Sequence, residues 1–384
     1  MTRKIFVITG TRAEYGILKP VLYAIKNHPE LNLQLLVTGM HLSHEFGYTA
    51  NDIKGDGFTI DFLVDMLLSQ DTPISMTKSL AIGILGIVDI LSIAKPDIVL
   101  IAGDRNEAFA GAIAASYLSI PVVHLFGGDS AQGSNIDDCI RHSITRFAHI
   151  HLVMTGEHSE RLNKMGEEPW RIFIVGSPAI DTILKITQHD TEIILKKYGI
   201  DSKKPFILLL QHPTTINQKF SEIDIDQSIE AAVELGLPTV IIYPNSDPGG
   251  RAMIKKINKY KKCPTVKILE NLPYEDFLDI LSTCAVLVGN SSSGIFEAPS
   301  FKTPVVNIGL RQAGRGHTNN IINVSQSKEE IQGAIKRALF DESFKEDLRN
   351  IISPYGDGHA SEKIINVLMN ININQALIQK RISY

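Results

Sequence analysis

The segment Ala285-Val286-Leu287-Val288-Gly289-Asn290-Ser291-Ser292-Ser293-Gly294-Ile295-Phe296-Glu297-Ala298 passes from an unbroken apolar run, through a glycine and three serines, into the start of a helical pattern. An apolar run with no polar alternation is a strand buried on both faces, which belongs inside a parallel sheet covered by helices. The same grammar recurs along the chain. In the first half, apolar runs at 5–9, 33–38, 98–102, 121–126, 149–153 and 172–175 alternate with longer amphipathic stretches. In the second half they fall at 206–211, 239–243, 266–269, 285–289, 304–308 and 321–324.

That alternation predicts an α/β protein of two doubly wound, Rossmann-like domains facing each other across a cleft. The boundary is expected near residue 180, giving one domain over 1–178 and another over 179–357. Turn chemistry at Pro354-Tyr355-Gly356-Asp357-Gly358-His359 and a helical pattern at 360–369 predict that 358–384 cross back to the first domain.

A chain of 384 residues with 44% hydrophobic and 21% charged residues can bury large cores, so a disordered or fibrous class is excluded. The balance of 38 Lys and Arg against 42 Asp and Glu supplies no broad cationic field, so no nucleic-acid or membrane partner is expected. Any anion must be bound locally. Three widely spaced cysteines, Cys139, Cys263 and Cys284, offer neither a disulfide framework nor a CxxC site, which fits a reducing cytoplasm. The start of the chain reads as a strand rather than a signal peptide, and the most apolar window, 81–94, reads as a buried helix too short to span a bilayer.

Ligands of open parallel sheets bind beyond the carboxyl ends of the strands. There this sequence places Gly10-Thr11-Arg12, Gly39-Met40-His41, Gly103-Asp104-Arg105-Asn106-Glu107, Gly127-Gly128-Asp129, His212-Pro213, Asn245, Gly289-Asn290-Ser291-Ser292-Ser293 and Gly309-Leu310-Arg311. A plain N-cap explains one serine of the three; all three, with Glu297 in the first helical turn, favour a phosphate or nucleotide site in which Glu297 takes the ribose hydroxyls. Arg12 and Arg311 are candidate diphosphate clamps, since a forked, permanently charged head suits phosphate oxygens. Neither GxxxxGK[ST] nor a GxGxxG after the first strand is present, so neither P-loop chemistry nor a resident NAD is expected. His41 and His44, or His149 and His151, match no strong metal-ligand spacing, so no metal is expected either. Asp104, Glu107, Asp129, Asp137 and Asp138 supply enough carboxylates for acid–base chemistry without a cofactor.

These motifs, with Ile136-Asp137-Asp138-Cys139-Ile140-Arg141-His142 and Gln211-His212-Pro213, stand in one order that resembles the hydrolysing UDP-N-acetylglucosamine 2-epimerases of sialic-acid synthesis. The resemblance runs over nearly the whole chain. It implies a glycosyltransferase-B-like fold, a UDP-sugar bound without metal or redox cofactor, and a homo-oligomer, dimer or tetramer. It implies elimination of UDP to a 2-acetamidoglucal, followed by hydration to N-acetylmannosamine. Asp104, Asp137, Asp129 and His212 are then the expected catalytic groups. Arg12, His41, Arg105, Arg141, Asn290, Ser291, Ser292, Ser293, Glu297 and Arg311 are the expected substrate contacts.

Relatives commonly carry Glu or His before the Gly-Gly pair and Glu after it, where this chain has Phe126 and Asp129. The loop Ser130-Ala131-Gln132-Gly133-Ser134-Asn135 differs as well, and with it the sugar is open. The alternatives are the same hydrolysis of UDP-N,N′-diacetylbacillosamine, a non-hydrolysing UDP-GlcNAc 2-epimerase, and a glycosyltransferase of the same fold.

Overall fold

The computed structural model describes every residue except 1, 71, 132–134, 187–189, 214–217, 245–246, 248 and 384, so Asn245 and the centre of the 130–135 loop lie outside the described residues. The chain divides into two compact units. Unit 1 holds residues 1–129, 136–182 and 355–384; unit 2 holds 130–135 and 183–354.

Unit 1 is built on seven parallel strands: β1 (Arg3–Thr9), β2 (Leu31–Thr38), β3 (Phe62–Val64), β4 (Ile98–Ala102), β5 (Val122–Leu125), β6 (Ile150–Val153) and β7 (Ile172–Ile174). Their order across the sheet is β3-β2-β1-β4-β5-β6-β7. Unit 2 carries six: β8 (Ile207–Leu210), β9 (Thr239–Ile242), β10 (Val266–Leu269), β11 (Val286–Gly289), β12 (Val305–Ile308) and β13 (Ile321–Val324), in the order β10-β9-β8-β11-β12-β13. The α/β class is therefore as expected. Only β3, at the edge of the sheet, was not among the expected strands: its apolar run Phe62-Leu63-Val64 is just three residues long, closed off by Asp61 and Asp65.

Period-2 alternation divides β1 between two cores. Ile5 and Val7 pack with Leu18, Leu22 and Ile25 of the helix Arg12–Lys26 and with Ile364 and Leu368 of the helix Ala360–Asn370. Phe6 and Ile8 pack on the other face with Ile87, Leu91 and Ala110. Burying one such side chain stabilises by about 1.5–3 kcal/mol.

The returning segment is tied down by polar groups as well. Asp181 accepts hydrogen bonds from Ala360 N (2.9 Å), Ser361 N (2.7 Å) and Ser361 Oγ (2.5 Å), capping the helix Ala360–Asn370. Arg171, fully buried, donates to the carbonyls of Ala376 and Leu377. Asp181→Ala would strand two buried N–H groups, and we expect it to cost about 2–4 kcal/mol. Chemical denaturation checks this: an unchanged midpoint would show that the cap contributes nothing.

The apolar window at 81–94 is not the short buried helix expected. It belongs to a 22-residue helix, Pro73–Ala94, long and apolar enough by length and composition to cross a membrane. Only the stripe Ser75, Ser79, Gly83, Ile87, Leu91 and Ala94 is buried, whereas Ile74, Leu85 and Ile93 are 69%, 67% and 77% exposed. Small residues sit inward because they let the helix lie close to Met66 and Val64, and the large ones are left outside.

Candidate functional site

Strand order decides which of the turns become neighbours. In unit 1 the connections leave in opposite directions from β1 and β4, so the turns after these strands flank the switch point of the sheet. They carry Gly10-Thr11-Arg12 and Gly103-Asp104-Arg105. In unit 2 the corresponding strands are β8 and β11, followed by His212 and by Gly289-Asn290-Ser291-Ser292-Ser293. The turns bearing Arg12, Asp104, Arg105, His212, Asn290 and the three serines thus flank the switch point of each unit, whereas His41, Asp129 and Arg311 follow β2, β5 and β12.

The centre of unit 1 is Arg141, 3% exposed, on the helix Asn135–Phe147. Its guanidinium pairs with Asp104, lies 3.3 Å from Asp129 and donates to the Phe126 carbonyl at 3.1 Å. Burial opposes its charge, but Asp104, Asp129, Asp138 and Asp137 together outweigh burial and raise its pKa. Asp104 keeps 21% of its side chain exposed, so one cation orients a partly open acid, while Asp129 is 2% exposed. His124, fully buried and held near a pKa of about 3 by burial, is the neutral partner of the Gly103 carbonyl at 2.7 Å. That bond fixes the turn on which Asp104 stands.

Asp137 lies half-buried in the first turn of the helix bearing Arg141. Arg12 and Arg105 are half-buried at the starts of the helices Arg12–Lys26 and Asn106–Tyr117. His41 is fully buried, its ring nitrogens bonded to Thr9 Oγ1 (3.1 Å) and Thr49 Oγ1 (2.7 Å), and burial lowers its pKa to about 4. It joins β1, the turn after β2 and the helix Ala50–Gly55.

In unit 2 Asn290 organises the turn. Its side-chain amide accepts from His212 N (2.7 Å) and donates to His212 O (2.9 Å), and its carbonyl accepts from Arg311 (3.1 Å) and Gln312 (2.8 Å). Ser291 Oγ bonds to Ser293, whereas Ser292, at the N-cap position, makes no side-chain cap bond. Glu297 is not in a first helical turn as expected: it is the junction between two single turns, Ser293–Phe296 and Ala298–Phe301. Pro299, which has no N–H to continue the ladder, breaks the helix there.

Glu297 is 3% exposed; Tyr274 donates to its Oε1 at 3.0 Å, and its Oε2 has no partner. Burial raises its pKa to about 7 from an ordinary 4.5, against the Tyr274 bond that lowers it. The folded state therefore binds this proton more tightly than the unfolded chain, and stability falls as pH rises from about 4.5 to about 7. Glu297→Gln removes that loss. Its melting temperature should exceed that of the parent at pH 8, with the gap closing toward pH 4.5; a gap independent of pH would refute the assignment.

Several contributors escaped the sequence reading. His124, His158 (3.8 Å from Asp129) and Tyr274 come from remote parts of the chain and carry no local motif. Glu14 and Glu107 sat inside quoted motifs, but only the fold brings both against Gly10. His149 and His151 are bonded to Val122 N and Glu167. Among the described residues no three His, Cys, Asp or Glu side chains converge as metal ligands would.

Comparison with known proteins gives one answer. The family profile described as UDP-N-acetylglucosamine 2-epimerase matches residues 23–369. The UDP-N,N′-diacetylbacillosamine 2-epimerase (hydrolysing) of Legionella pneumophila is 36% identical over 384 residues, covering 100% of both chains. The GDP/UDP-N,N′-diacetylbacillosamine 2-epimerase (hydrolysing) of Campylobacter jejuni is 35% identical over 98% of this chain and 97% of its own. The crystal structure of UDP-GlcNAc 2-epimerase from Neisseria meningitidis bound to UDP-GlcNAc superposes with a TM-score of 0.83, at 21% identity, over 96% of this chain and 100% of that one.

Proposed function

The chain belongs to the UDP-N-acetylglucosamine 2-epimerase family, and on that premise we propose that it is the hydrolysing enzyme, converting UDP-N-acetylglucosamine and water to N-acetylmannosamine and UDP. The observation that carries this reading is the Asp104–Arg141–Asp129 cluster at the switch point of unit 1, a partly exposed carboxylate fixed by a buried cation.

In the first step the C1–O bond to UDP breaks as a carboxylate takes the C2 proton, leaving 2-acetamidoglucal and UDP. In the second, water adds to C1 and a proton returns to C2 from the opposite face. Asp104 is our choice for the C2 proton, held by Arg141, and Asp137 for its partner; Asp129, buried between Arg141 and His158, orients rather than reaches. A positioned acid or base of this kind contributes about 10²–10⁴-fold.

The departing diphosphate needs donors at its oxygens. Ser291, Ser292, Ser293 and Arg311 are the groups we assign to it, and Arg12 and Arg105 are by residue type further candidates for its oxygens. The single-turn helix after Ser292 has little dipole, so hydroxyls and backbone N–H groups carry this task. His212, whose backbone Asn290 clamps, is a donor to the same diphosphate, and the unpartnered Oε2 of Glu297 takes the ribose hydroxyls. His41 positions the sugar indirectly, through the turn it anchors. We place the enzyme in the cytoplasm, in keeping with three free cysteines, as a homo-oligomer for which the outward apolar side of Pro73–Ala94 offers a surface.

A second reading has support of its own: the Legionella and Campylobacter relatives are named for the diacetylbacillosamine sugar. Incubation with each UDP-sugar in deuterated water, followed by NMR, separates the two. Free N-acetylmannosamine deuterated at C2, with UDP released, supports the first. Turnover of the bacillosamine sugar alone would replace it with the second, and an epimer still linked to UDP would overturn hydrolysis.

A further inference from the structure

The helix Asn135–Phe147, which carries Asp137 and Arg141, ends in four carbonyls that no N–H within it reaches. Neighbours account for all of them. Ala148 N donates to Ile144 O at 2.8 Å, and Ser116 Oγ to Phe147 O at 3.3 Å. The two between, Thr145 O and Arg146 O, accept from the Lys380 ammonium at 2.5 and 3.3 Å.

Lys380 comes from the returning segment, 235 positions beyond Thr145, yet it is held as firmly as a core residue. Its side chain is 10% exposed and lies 2.6 Å from Glu167 Oε2. An ammonium has three N–H groups, and here each has an acceptor. Burial pulls its pKa down to about 8 and Glu167 opposes the fall, so at pH 7 the proton is in place. Glu167, 1% exposed, is fixed in turn: Arg146 pairs with its Oε1, and His151 lies 3.0 Å from its Oε2. The segment is anchored on both sides of the lysine, by Arg171 on the Ala376 and Leu377 carbonyls and by Ser383 N on Gly166 O at 2.8 Å. A cation in this place also meets the negative end of the helix dipole.

One helical turn separates this hold from the acid cluster. Thr145, fully buried, donates through Oγ1 to the Arg141 carbonyl at 3.1 Å, and the Arg141 guanidinium pairs with Asp104. A cation that must orient a carboxylate toward a reacting carbon tolerates little axial shift of the helix it stands on.

We propose that Lys380 is a positioning residue for the reaction: through the Thr145 and Arg146 carbonyls it fixes the axial placement of the helix that presents Arg141 and Asp137. The inference rests on the reading of the Asp104–Arg141 cluster given above. Lys380 acts through the helix and takes no part in proton transfer.

The test compares the full-length parent with Lys380→Met, which keeps the aliphatic stem and loses every donor, at pH 7 and a temperature where circular dichroism shows both folded. For the UDP-sugar that the parent turns over, kcat should fall by about tenfold or more, while KM, and UDP affinity by calorimetry, stay within about threefold. Amides of residues 141–147 should exchange hydrogen faster in the variant. A lysine that served stability alone would lower the melting temperature and leave the kcat of the folded enzyme unchanged. That result, or unaltered exchange over 141–147, would overturn the proposal. Should Lys380→Met fail to fold, Lys380→Gln, whose amide can satisfy one carbonyl, gives the same readouts. A parent that turns over neither UDP-sugar would overturn the UDP-sugar reading and the positioning role with it, whereas an active parent matched by its variant would overturn the positioning role alone.

Discussion

Asp104→Asn is expected to lower turnover of the UDP-sugar by about a thousandfold while leaving UDP affinity within a fewfold of the parent. Asparagine keeps the shape of the side chain and can still face Arg141, but it cannot take a proton from C2. Asp104 is the member of the Arg141 cluster with the larger exposed share, so the substitution removes chemistry at little expense in burial. Arg141 keeps Asp129 at 3.3 Å and the Phe126 carbonyl, and Gly103 keeps its bond from His124, so the turn should hold its place. Single-turnover kinetics with the NMR assay, and calorimetry with UDP, measure the two quantities separately. A rate within tenfold of the parent would remove Asp104 from the acid–base role; loss of UDP binding together with rate would make it a structural anchor.

Gly289→Ala is expected to be the most destabilising single substitution in unit 2, by more than about 4 kcal/mol. Gly289 closes β11, between β8 and β12, at φ +139, and a Cβ there would lie 2.0 Å from Leu210 O. The obstructing atom is backbone inside a parallel ladder, so no rotamer change relieves it, and the φ value is open to glycine alone. The single tryptophan, Trp170, belongs to unit 1, so its fluorescence follows that unit while circular dichroism follows both. The variant should keep the fluorescence transition and lose part of the ellipticity change. An unaltered thermal profile by both probes would show that the strand end yields where the structure says it cannot.

The glycine that makes this prediction also opened the sequence reading. The runs at 286–289, 207–210 and 98–102 were legible because parallel strands are apolar on both faces, and the residues after them because turns need Gly, Asn, Ser and Asp. β3 was missed because three apolar residues between two aspartates are too short a run to stand out. The helix Pro73–Ala94 was misjudged because composition records how apolar a helix is, not which side meets the core. The break at Glu297 lies with Pro299, two residues beyond it, and the serines before it give no sign of it.

By itself, then, the sequence determined the α/β class, every strand but β3, and the turns that carry Arg12, Asp104, His212 and Ser291, since each follows from the chemistry of a few consecutive residues. Only the tertiary structure decided that Arg141 would gather Asp104 and Asp129, that Asn290 would clamp His212, and that Glu14 and Glu107 would close on Gly10. The longest of those relations join residues far apart in the chain, 37 positions for Arg141 and Asp104 and 78 for Asn290 and His212. Strand order and side-chain packing set them, and no local periodicity encodes either.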